Sequence, residues 1–308
     1  MPKLKTKRDK ETLLKKMQKQ RLKYISILPS LITLINGVCG FASIAFASEN
    51  EFTKASYMLA LAMIADVLDG RVARMSKSTS SFGGQLDSLC DVISFGVAPA
   101  FIVLKLFMFT IADVELSVAF EKFLHRFIWL AAGTYVSCTA IRLARFNVEN
   151  EEDESSHMSF TGLPSPAAAG VIITLIVFKN QPLAEWISNE QTYKLISDIM
   201  VYSLPIITFA VGLLMVSRVR YSHIVNQHLK GKKPFDYFIW TIIIIGLAVW
   251  YLQLTAMIIF CGFATSGLVK LIYVKLIHKK SDYEITAQQP LADVVNSEEN
   301  TTEIDNIQ

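Results

Sequence analysis

The chain has 308 residues, 52% of them hydrophobic, and Asp, Glu, Lys and Arg together make up only 19%. Soluble proteins carry about 25% charged residues, so this composition, with a net charge of only +3, argues against an ordinary soluble domain. The apolar residues gather in blocks of membrane-helix length, roughly 17 to 25 residues. The sequence therefore predicts an all-α integral membrane protein, with membrane lipids as its surroundings and no nucleic acid among its partners.

Eight membrane spans are predicted, and a very tight turn separates the last two. The spans lie near residues 25–47, 55–75, 84–109, 125–145, 165–180, 199–217, 237–252 and 254–276. We do not expect the first span to be an ordinary cleaved signal peptide, because a long charged segment precedes it and no small-residue cleavage site follows it.

Charged segments flank the predicted spans. Residues 1–24 form a basic arm in which Leu13, Leu14 and Met17 make an apolar stripe. This pattern predicts either an interfacial helix on anionic lipid or a solvated arm that only sets topology. Residues 281–308 are acidic and poor in apolar residues, which predicts a disordered tail.

The distribution of positive charge predicts the orientation in the membrane. With both termini in the cytoplasm, most of the 30 lysines and arginines fall in cytoplasmic connections, as the positive-inside rule requires. This arrangement also places residues 66–91 at the cytoplasmic side. We expect a bacterial inner membrane, since the size is small and no transit-type presequence is evident.

The segment DVLDGRVARMSKSTSSFGGQLDSLCD, residues 66–91, places four aspartates in otherwise apolar sequence. An ionised side chain at the centre of a bilayer costs roughly 2.5–3.5 kcal/mol, so these carboxylates need compensation. Helical spacing puts them on shared faces. The face of the second span holds Asp66, Asp69, Gly70 and Ala73, and the face of the third holds Gly83, Asp87 and Asp91.

Packed together, the two faces would surround one polar pocket with carboxylate oxygens. Such an environment suits Mg²⁺ or Mn²⁺ rather than zinc, and paired cations of this kind stabilise a transferring phosphoryl group. Arg74, one turn beyond Gly70, would add a phosphate clamp. Two other interpretations remain: structural ion pairs with Arg71 and Arg74, or a cation or proton transport path. A transporter predicts acids spread through the depth of the membrane, whereas these are gathered at one end.

The spacing of the charged and small residues also matches a known pattern. The sequence reads Asp66-x-x-Asp69-Gly70-x-x-Ala73-Arg74, then eight residues, then Gly83-x-x-x-Asp87-x-x-x-Asp91. This resembles the defining motif of the CDP-alcohol phosphatidyltransferases, with all eight fixed positions present. The resemblance covers roughly residues 25–220. It implies a six-helix membrane core, two divalent cations and a CDP-linked lipid donor that enters from the bilayer.

The resemblance also implies roles for individual residues. Asp66, Asp69 and Asp87 would be metal ligands, and Asp91 would be both a ligand and the base that deprotonates the acceptor hydroxyl. The CDP-lipid site would be lined by Gly70, Ala73, Arg74 and Gly83. Ser78 and the hydroxyl residues after it would offer hydrogen bonds to phosphate, with helix capping as the structural alternative.

Three further segments resemble the phosphatidylserine synthase branch of this family: LPSLITLINGVCGF, AIRLARFNVE and FTGLPSPAAAG. In the first, Ser30 stands where the branch usually has Asn, which leaves Thr33 and Asn36 for a cytidine contact. The resemblance implies transfer of a phosphatidyl group from CDP-diacylglycerol to L-serine. Acceptors such as glycerol 3-phosphate or an inositol phosphate are the alternative, and they should demand more cationic residues than the pocket holds.

Polar residues at the end of the fourth span are candidates for binding serine. They are Arg142, Arg145 and Asn147. An arginine there would hold the serine carboxylate, and a positive-inside anchor is the alternative role. Pro164 and Pro166 are expected to set the start of the fifth span.

The last two spans carry no functional acids. They belong to residues 221–280, which we interpret as a basic loop and an appended transmembrane hairpin. The hairpin packs either against the core or at a dimer contact, and the sequence does not distinguish these. We expect a homodimer.

Overall fold

The computed structural model describes residues 30–76, 81–112, 114, 117–152, 162–217, 219, 246, 251–267 and 269. The chain divides into two compact units, Met1–Ala264 and Thr265–Gln308, and the motif lies in the first. The basic arm 1–24, most of the loop and hairpin 221–280 and the tail 281–308 lie outside the described residues.

The regular structure of the described residues is entirely helical. The helices are α1 (Ser30–Ser48), α2 (Phe52–Ser76), α3 (Ser81–Asp91), a π-helical segment (Val92–Val97), α4 (Ala98–Ile111), α5 (Val118–Glu152), α6 (Ser165–Asn180), α7 (Pro182–Trp186), α8 (Glu190–Val216) and α9 (Leu252–Gly267).

Among the described residues, five stretches of helix are long and apolar enough to cross a membrane. They are Ser30–Ser48, Phe82–Ile111, Val118–Val148, Ser165–Trp186 and Glu190–Val216. The 25-residue α2 is also long enough, and it carries the motif charges. The prediction of an all-α integral membrane protein is therefore confirmed for the described residues. The seventh predicted span, 237–252, lies almost wholly outside them.

Short connections make neighbouring helices antiparallel. Only Glu49, Asn50 and Glu51 separate α1 from α2, and Asn50 takes a left-handed conformation with φ 65°. The Glu51 amide donates to the Phe46 carbonyl at 2.9 Å, which satisfies an orphan carbonyl at the end of α1. We call the end of the bundle where α2 ends and α3 begins the motif end, and the opposite end the far end.

A buried apolar core fixes the helices around the motif end. The side chains of Tyr135, Phe107, Ile172 and Met215 are almost wholly buried where α4, α5, α6 and α8 meet. The backbones of α5 and α8 approach closely at Gly212, where an added Cβ would lie 3.1 Å from the Tyr135 Cα. Glycine at this position therefore favours the close packing of α5 against α8, because a larger residue would push the two backbones slightly apart.

Three residues of the appended segment that lie in the first unit, Gln253, Phe260 and Ala264, contact the bundle. The Phe260 ring of α9 lies directly against Gly170 of α6, and Ala264 is buried in the same core. At the far end, Gln253 donates to Gln181, which also accepts a hydrogen bond from the Tyr57 hydroxyl at 2.6 Å. Whether the hairpin as a whole packs against the core or at a dimer contact stays a prediction.

A glycine closes the motif end of the bundle by joining the start of α6 to the end of α8. Gly162 has φ 90°, and its amide donates to the Val219 carbonyl at 2.8 Å. The next amide, of Leu163, donates to the Leu214 carbonyl at 3.1 Å. A Cβ at Gly162 would collide with the Met215 carbonyl oxygen.

Replacing Gly162 with Ala should therefore destabilise the protein by about 1–3 kcal/mol, because the left-handed backbone becomes strained and the carbonyl must move. Thermal unfolding of the detergent-solubilised protein measures this. Gly133→Ala is the matched control, since a Cβ there meets no atom within 4 Å in the middle of α5. We expect the control to leave stability unchanged or slightly increased. An equal loss of thermal stability in both variants would contradict the predicted strain at Gly162.

Candidate active site

Three aspartates of the motif converge at the motif end. Asp66 and Asp69 lie one turn apart on α2, and Asp87 faces them from α3. One carboxylate oxygen from each lies within 4.8 Å of the others. The helical spacing that predicted two shared faces therefore brings three of the four carboxylates together.

These carboxylates lack the partners that buried charges normally have. Asp69 is only 5% exposed, and its Oδ2 is buried without a hydrogen-bond partner; the Oδ1 of Asp87 is likewise unpartnered. Within the described side chains, none of the three forms an ion pair. The alternative of structural ion pairing with Arg71 is not supported, and the side chain of Arg74 is not described.

The donor set fits a hard divalent cation. Buried charges are stabilised by a partner charge or by a metal, and Asp66, Asp69 and Asp87 offer only oxygen ligands, which Mg²⁺ and Mn²⁺ prefer. The unpartnered Asp69 and Asp87 oxygens provide free coordination capacity. The arrangement can therefore hold a divalent metal ion beside a phosphate.

Helix α1 contributes two polar contacts to the aspartates. The Thr33 side chain hydrogen-bonds Asp69, and Asn36 Nδ2 donates to Asp91 Oδ1 at 2.9 Å. Asp91 is 7% exposed and lies outside the group of three converging carboxylates. Its role as an additional metal ligand stays a prediction.

A half-buried arginine approaches Asp91 from α5. The Arg142 Nη1 donates to the hydroxyl of Ser165 at 3.0 Å, while its Nε is buried without a hydrogen-bond partner. The guanidinium interacts electrostatically with the Asp91 carboxylate. Ser165 is the first residue of α6 and is 1% exposed. The Gly-Leu-Pro-Ser-Pro turn therefore both starts α6 and supplies the hydroxyl that binds the Arg142 guanidinium.

The other two candidates for binding serine sit one turn further along α5. Asn147 Nδ2 donates to the Ser88 hydroxyl at 2.9 Å, which joins the end of α5 to the residue after Asp87. Arg145 is exposed. Arg142 is therefore the candidate that interacts with Asp91, and Asn147 is the one that contacts the residue beside Asp87.

The small residues of the motif leave space beside the carboxylates. A Cβ built on Gly70 would meet no heavy atom within 4 Å, so the space over that turn of α2 is open. Gly83 lies half-buried at the start of α3. Ala73 and Arg74 belong to α2, but their side chains are not described, and Ser78 lies outside the described residues.

Sequence reasoning missed three of these contacts because they join residues far apart in the chain. Asn36 and Asp91 are 55 residues apart, Ser88 and Asn147 are 59 apart, and Arg142 and Ser165 are 23 apart. An available signal was Asn36 itself, since a polar amide inside a membrane span is uncommon and usually has a partner.

Comparison with known proteins agrees with the motif. The sequence model of the CDP-alcohol phosphatidyltransferase family matches residues 26–216. A CDP-diacylglycerol–serine O-phosphatidyltransferase of Helicobacter pylori is 32% identical over 258 residues, covering 83% of this chain and 96% of that protein. The protein of the same name from Bacillus subtilis is 27% identical, and the match covers 65% of this chain and 92% of that protein. The one from Mycobacterium leprae is 37% identical, and the match covers 53% of this chain and 50% of that protein.

Proposed function

Because the chain belongs to the CDP-alcohol phosphatidyltransferase family, we propose that it transfers the phosphatidyl group of CDP-diacylglycerol to L-serine, giving phosphatidylserine and CMP. The observation that carries this function is the convergence of Asp66, Asp69 and Asp87, residues of the family motif, in a partly buried cluster that forms no ion pair with the described side chains. The relative that spans most of this chain carries the serine-specific name. The enzyme is therefore a phospholipid-synthesising transferase.

The four aspartates hold two divalent cations, Mg²⁺ or Mn²⁺, in this proposal. Asp66, Asp69 and Asp87 would supply the converging oxygens, and Asp91, which lies outside that group, would be the fourth ligand. When bound, the cations withdraw charge from the phosphoryl oxygens and stabilise both the entering and the leaving oxygen.

The reaction makes one phosphorus–oxygen bond and breaks another. Asp91 accepts the proton of the serine hydroxyl, and the hydroxyl oxygen bonds to the phosphorus that carries the diacylglycerol. The bond from that phosphorus to the CMP oxygen breaks, and CMP leaves with the electron pair. Direct attack of this kind inverts the configuration at phosphorus.

The CDP-lipid site lies along the motif face of α2 and the start of α3. Gly70 and Gly83 allow the donor to approach the backbone, and the open space beside Gly70 supports this placement. Ala73, Arg74 and Ser78 complete the proposed site. Arg74 balances phosphate charge, and Ser78 offers a hydroxyl.

The serine site centres on Arg142, with Arg145 and Asn147 beside it. The buried Nε of the Arg142 guanidinium has no hydrogen-bond partner, and the electrostatic interaction of this side chain with the Asp91 carboxylate supports a role beside the proposed base. Serine bound with its carboxylate on Arg142 would present its hydroxyl to Asp91. The Ser165 hydroxyl keeps the guanidinium in this position.

Replacing Arg142 with Ala should raise the KM for serine by about 10–100-fold, because a hydrogen bond to a charged group contributes about 1.5–3 kcal/mol. The KM for CDP-diacylglycerol should change much less. Steady-state CMP release measures both constants. Arg126→Ala, an exposed arginine near the other end of α5, is the control and should leave both unchanged. Equal increases in both KM values for the Arg142 variant would refute the carboxylate contact.

The proposed architecture is a six-helix core over residues 25–220 with two added transmembrane helices in residues 221–280. Both termini and the active site face the cytoplasm of a bacterial inner membrane, with the basic arm 1–24 and the acidic tail 281–308 on that side. The positive-inside distribution supports this orientation. We propose a homodimer as the assembled state.

The function is tested by offering acceptors separately to the purified enzyme. CMP release from CDP-diacylglycerol is followed with Mg²⁺ or Mn²⁺ and either serine, glycerol 3-phosphate or inositol phosphate. We expect release with serine alone. Release with another acceptor would move the protein to a different branch of the family, and no release with any acceptor would overturn the transferase function.

A further inference from the structure

Asn36 is a wholly buried polar residue in the middle of a membrane helix. It is 0% exposed, and its amide nitrogen donates to Asp91 Oδ1 at 2.9 Å. Because an ionised carboxylate only accepts hydrogen bonds, the NH₂ group of the amide must face Asp91. The amide oxygen is then left buried without a hydrogen-bond partner.

That unpaired oxygen argues against a purely structural role. A buried polar atom without a partner destabilises the folded protein. The hydrogen bond from the Asn36 nitrogen therefore stabilises the fold little, because it leaves the Asn36 amide oxygen buried and unpaired. Such groups in native proteins call for another explanation, often a functional one. The functional group that the Asn36 amide contacts is the Asp91 carboxylate, which directs the explanation to Asp91.

The backbone of α1 is held tightly against the helix that carries Asp91. A Cβ on Gly37 would lie 2.9 Å from the sulfur of Cys90, and a Cβ on Gly40 would collide with Ser94. The Ser94 hydroxyl also donates to the Asn36 carbonyl at 2.9 Å. Two hydrogen bonds therefore fix Asn36 relative to Asp91: one to its backbone carbonyl from Ser94, and one from its side-chain amide to Asp91.

The helix changes form directly after Asp91. Residues Val92–Val97 are π-helical, and Ser94 is in this segment. Insertions of this kind rotate the residues that follow and are frequent at functional sites. Here the π-helical segment brings the Ser94 hydroxyl to the Asn36 carbonyl while Asp91 meets the Asn36 amide.

We propose that Asn36 is a positioning residue that fixes the orientation of the Asp91 carboxylate, an inference that rests on the proposed function. The hydrogen bond to Oδ1 fixes the plane of the carboxylate and leaves Oδ2 free of this contact, so that Oδ2 can face the acceptor hydroxyl. Asp91 also lies outside the group formed by Asp66, Asp69 and Asp87. Asn36 thereby holds Asp91 for proton transfer while the other three carboxylates converge on each other.

The test compares Asn36→Ala and Asn36→Leu in the full-length, detergent-solubilised enzyme. Neither side chain can donate to Asp91, and Leu has the same branched arrangement of side-chain heavy atoms as Asn but is bulkier. We expect kcat to fall about 10–100-fold, the usual loss when a supporting partner of a site residue is removed. The KM values for serine and CDP-diacylglycerol should stay within about threefold. Mn²⁺ affinity by electron paramagnetic resonance and CDP affinity by calorimetry should also stay close to wild type.

Ser43→Ala is the matched control. Ser43 is also 0% exposed on α1, and its hydroxyl donates to the Ala55 carbonyl at 2.8 Å, away from the aspartates. We expect this variant to lose thermal stability without losing kcat. If Ser43→Ala lowers kcat as much as Asn36→Ala, the effect is a general consequence of loosening α1 and the proposal is overturned.

Other outcomes separate this proposal from the proposed function. Failure of the wild-type enzyme to release CMP with serine would count against the function itself. An active wild type with full kcat in both Asn36 variants would overturn the positioning role alone. A fall in Mn²⁺ affinity beyond tenfold would assign Asn36 to the metal site instead, and a rise in the serine KM at constant kcat would assign it to serine binding. Loss of CDP binding by variants that keep the thermal stability of the wild type would assign Asn36 to the cytidine contact. Loss of both CDP binding and thermal stability in both variants would assign it to folding.

Discussion

Asp91→Asn should lower kcat for CMP release by about 10²–10⁴-fold, the usual contribution of a positioned general base. The substitution changes almost no volume but removes the oxygen that accepts a proton. Its amide oxygen can still accept the hydrogen bond from Asn36 Nδ2, so the packing between α1 and α3 should survive. The measurement is steady-state CMP release at saturating serine and CDP-diacylglycerol.

The control for Asp91→Asn is binding rather than activity. CDP affinity and thermal stability of the variant should remain near those of the wild type, because the buried contact with Asn36 is kept. A variant that retains activity within about tenfold of the wild type would remove Asp91 from the base role. Loss of CDP binding together with activity would instead indicate that Asp91 is needed to form the site.

Asp69→Asn should lower kcat for CMP release by at least as much as Asp91→Asn does, but through loss of the bound cation rather than loss of a base. Asp69 is the most buried member of the converging carboxylates, and its Oδ2 is unpartnered. Replacing this carboxylate with an amide removes one negative charge from the set that holds the cation. We expect Mn²⁺ affinity to fall more than about 100-fold and kcat to fall about 10³-fold, since metal stabilisation of the transferring group contributes several kcal/mol.

Glu190→Gln is the matched control for Asp69→Asn. Glu190 is an exposed acid in the first turn of α8, at the far end of the bundle. Its replacement should change neither Mn²⁺ affinity nor CMP release. An Asp69→Asn variant that binds Mn²⁺ as tightly as the wild type would show that the cluster is not the metal site.

The sequence was sufficient to predict the grouping of the aspartates. Helical spacing placed Asp66 and Asp69 on one face, and burial of two charged faces in an apolar environment requires them to meet. The structure brings Asp87 to the same point from α3. Local periodicity therefore determines much of the site, because the motif lies on two consecutive helices.

The contacts that orient the site could not be predicted in the same way. Asn36 meets Asp91 and Ser165 meets Arg142 through tertiary packing, and no periodic pattern links residues that far apart. The π-helical segment after Asp91 was also missed, since VISFGV fits an ordinary apolar helix. The fourth predicted span, 125–145, proved to be the interior of the longer helix Val118–Glu152, because charged residues continue that helix beyond the apolar stretch.

The most direct test of the transfer reaction follows the oxygen atom of the acceptor. L-serine carrying ¹⁸O in its side-chain hydroxyl is incubated with CDP-diacylglycerol, a divalent cation and the purified enzyme, and both products are analysed by mass spectrometry. We predict that ¹⁸O appears in the phosphodiester of phosphatidylserine and that the released CMP contains none. Failure to form labelled phosphatidylserine, or ¹⁸O in CMP, would contradict attack of the serine hydroxyl on the diacylglycerol-linked phosphorus.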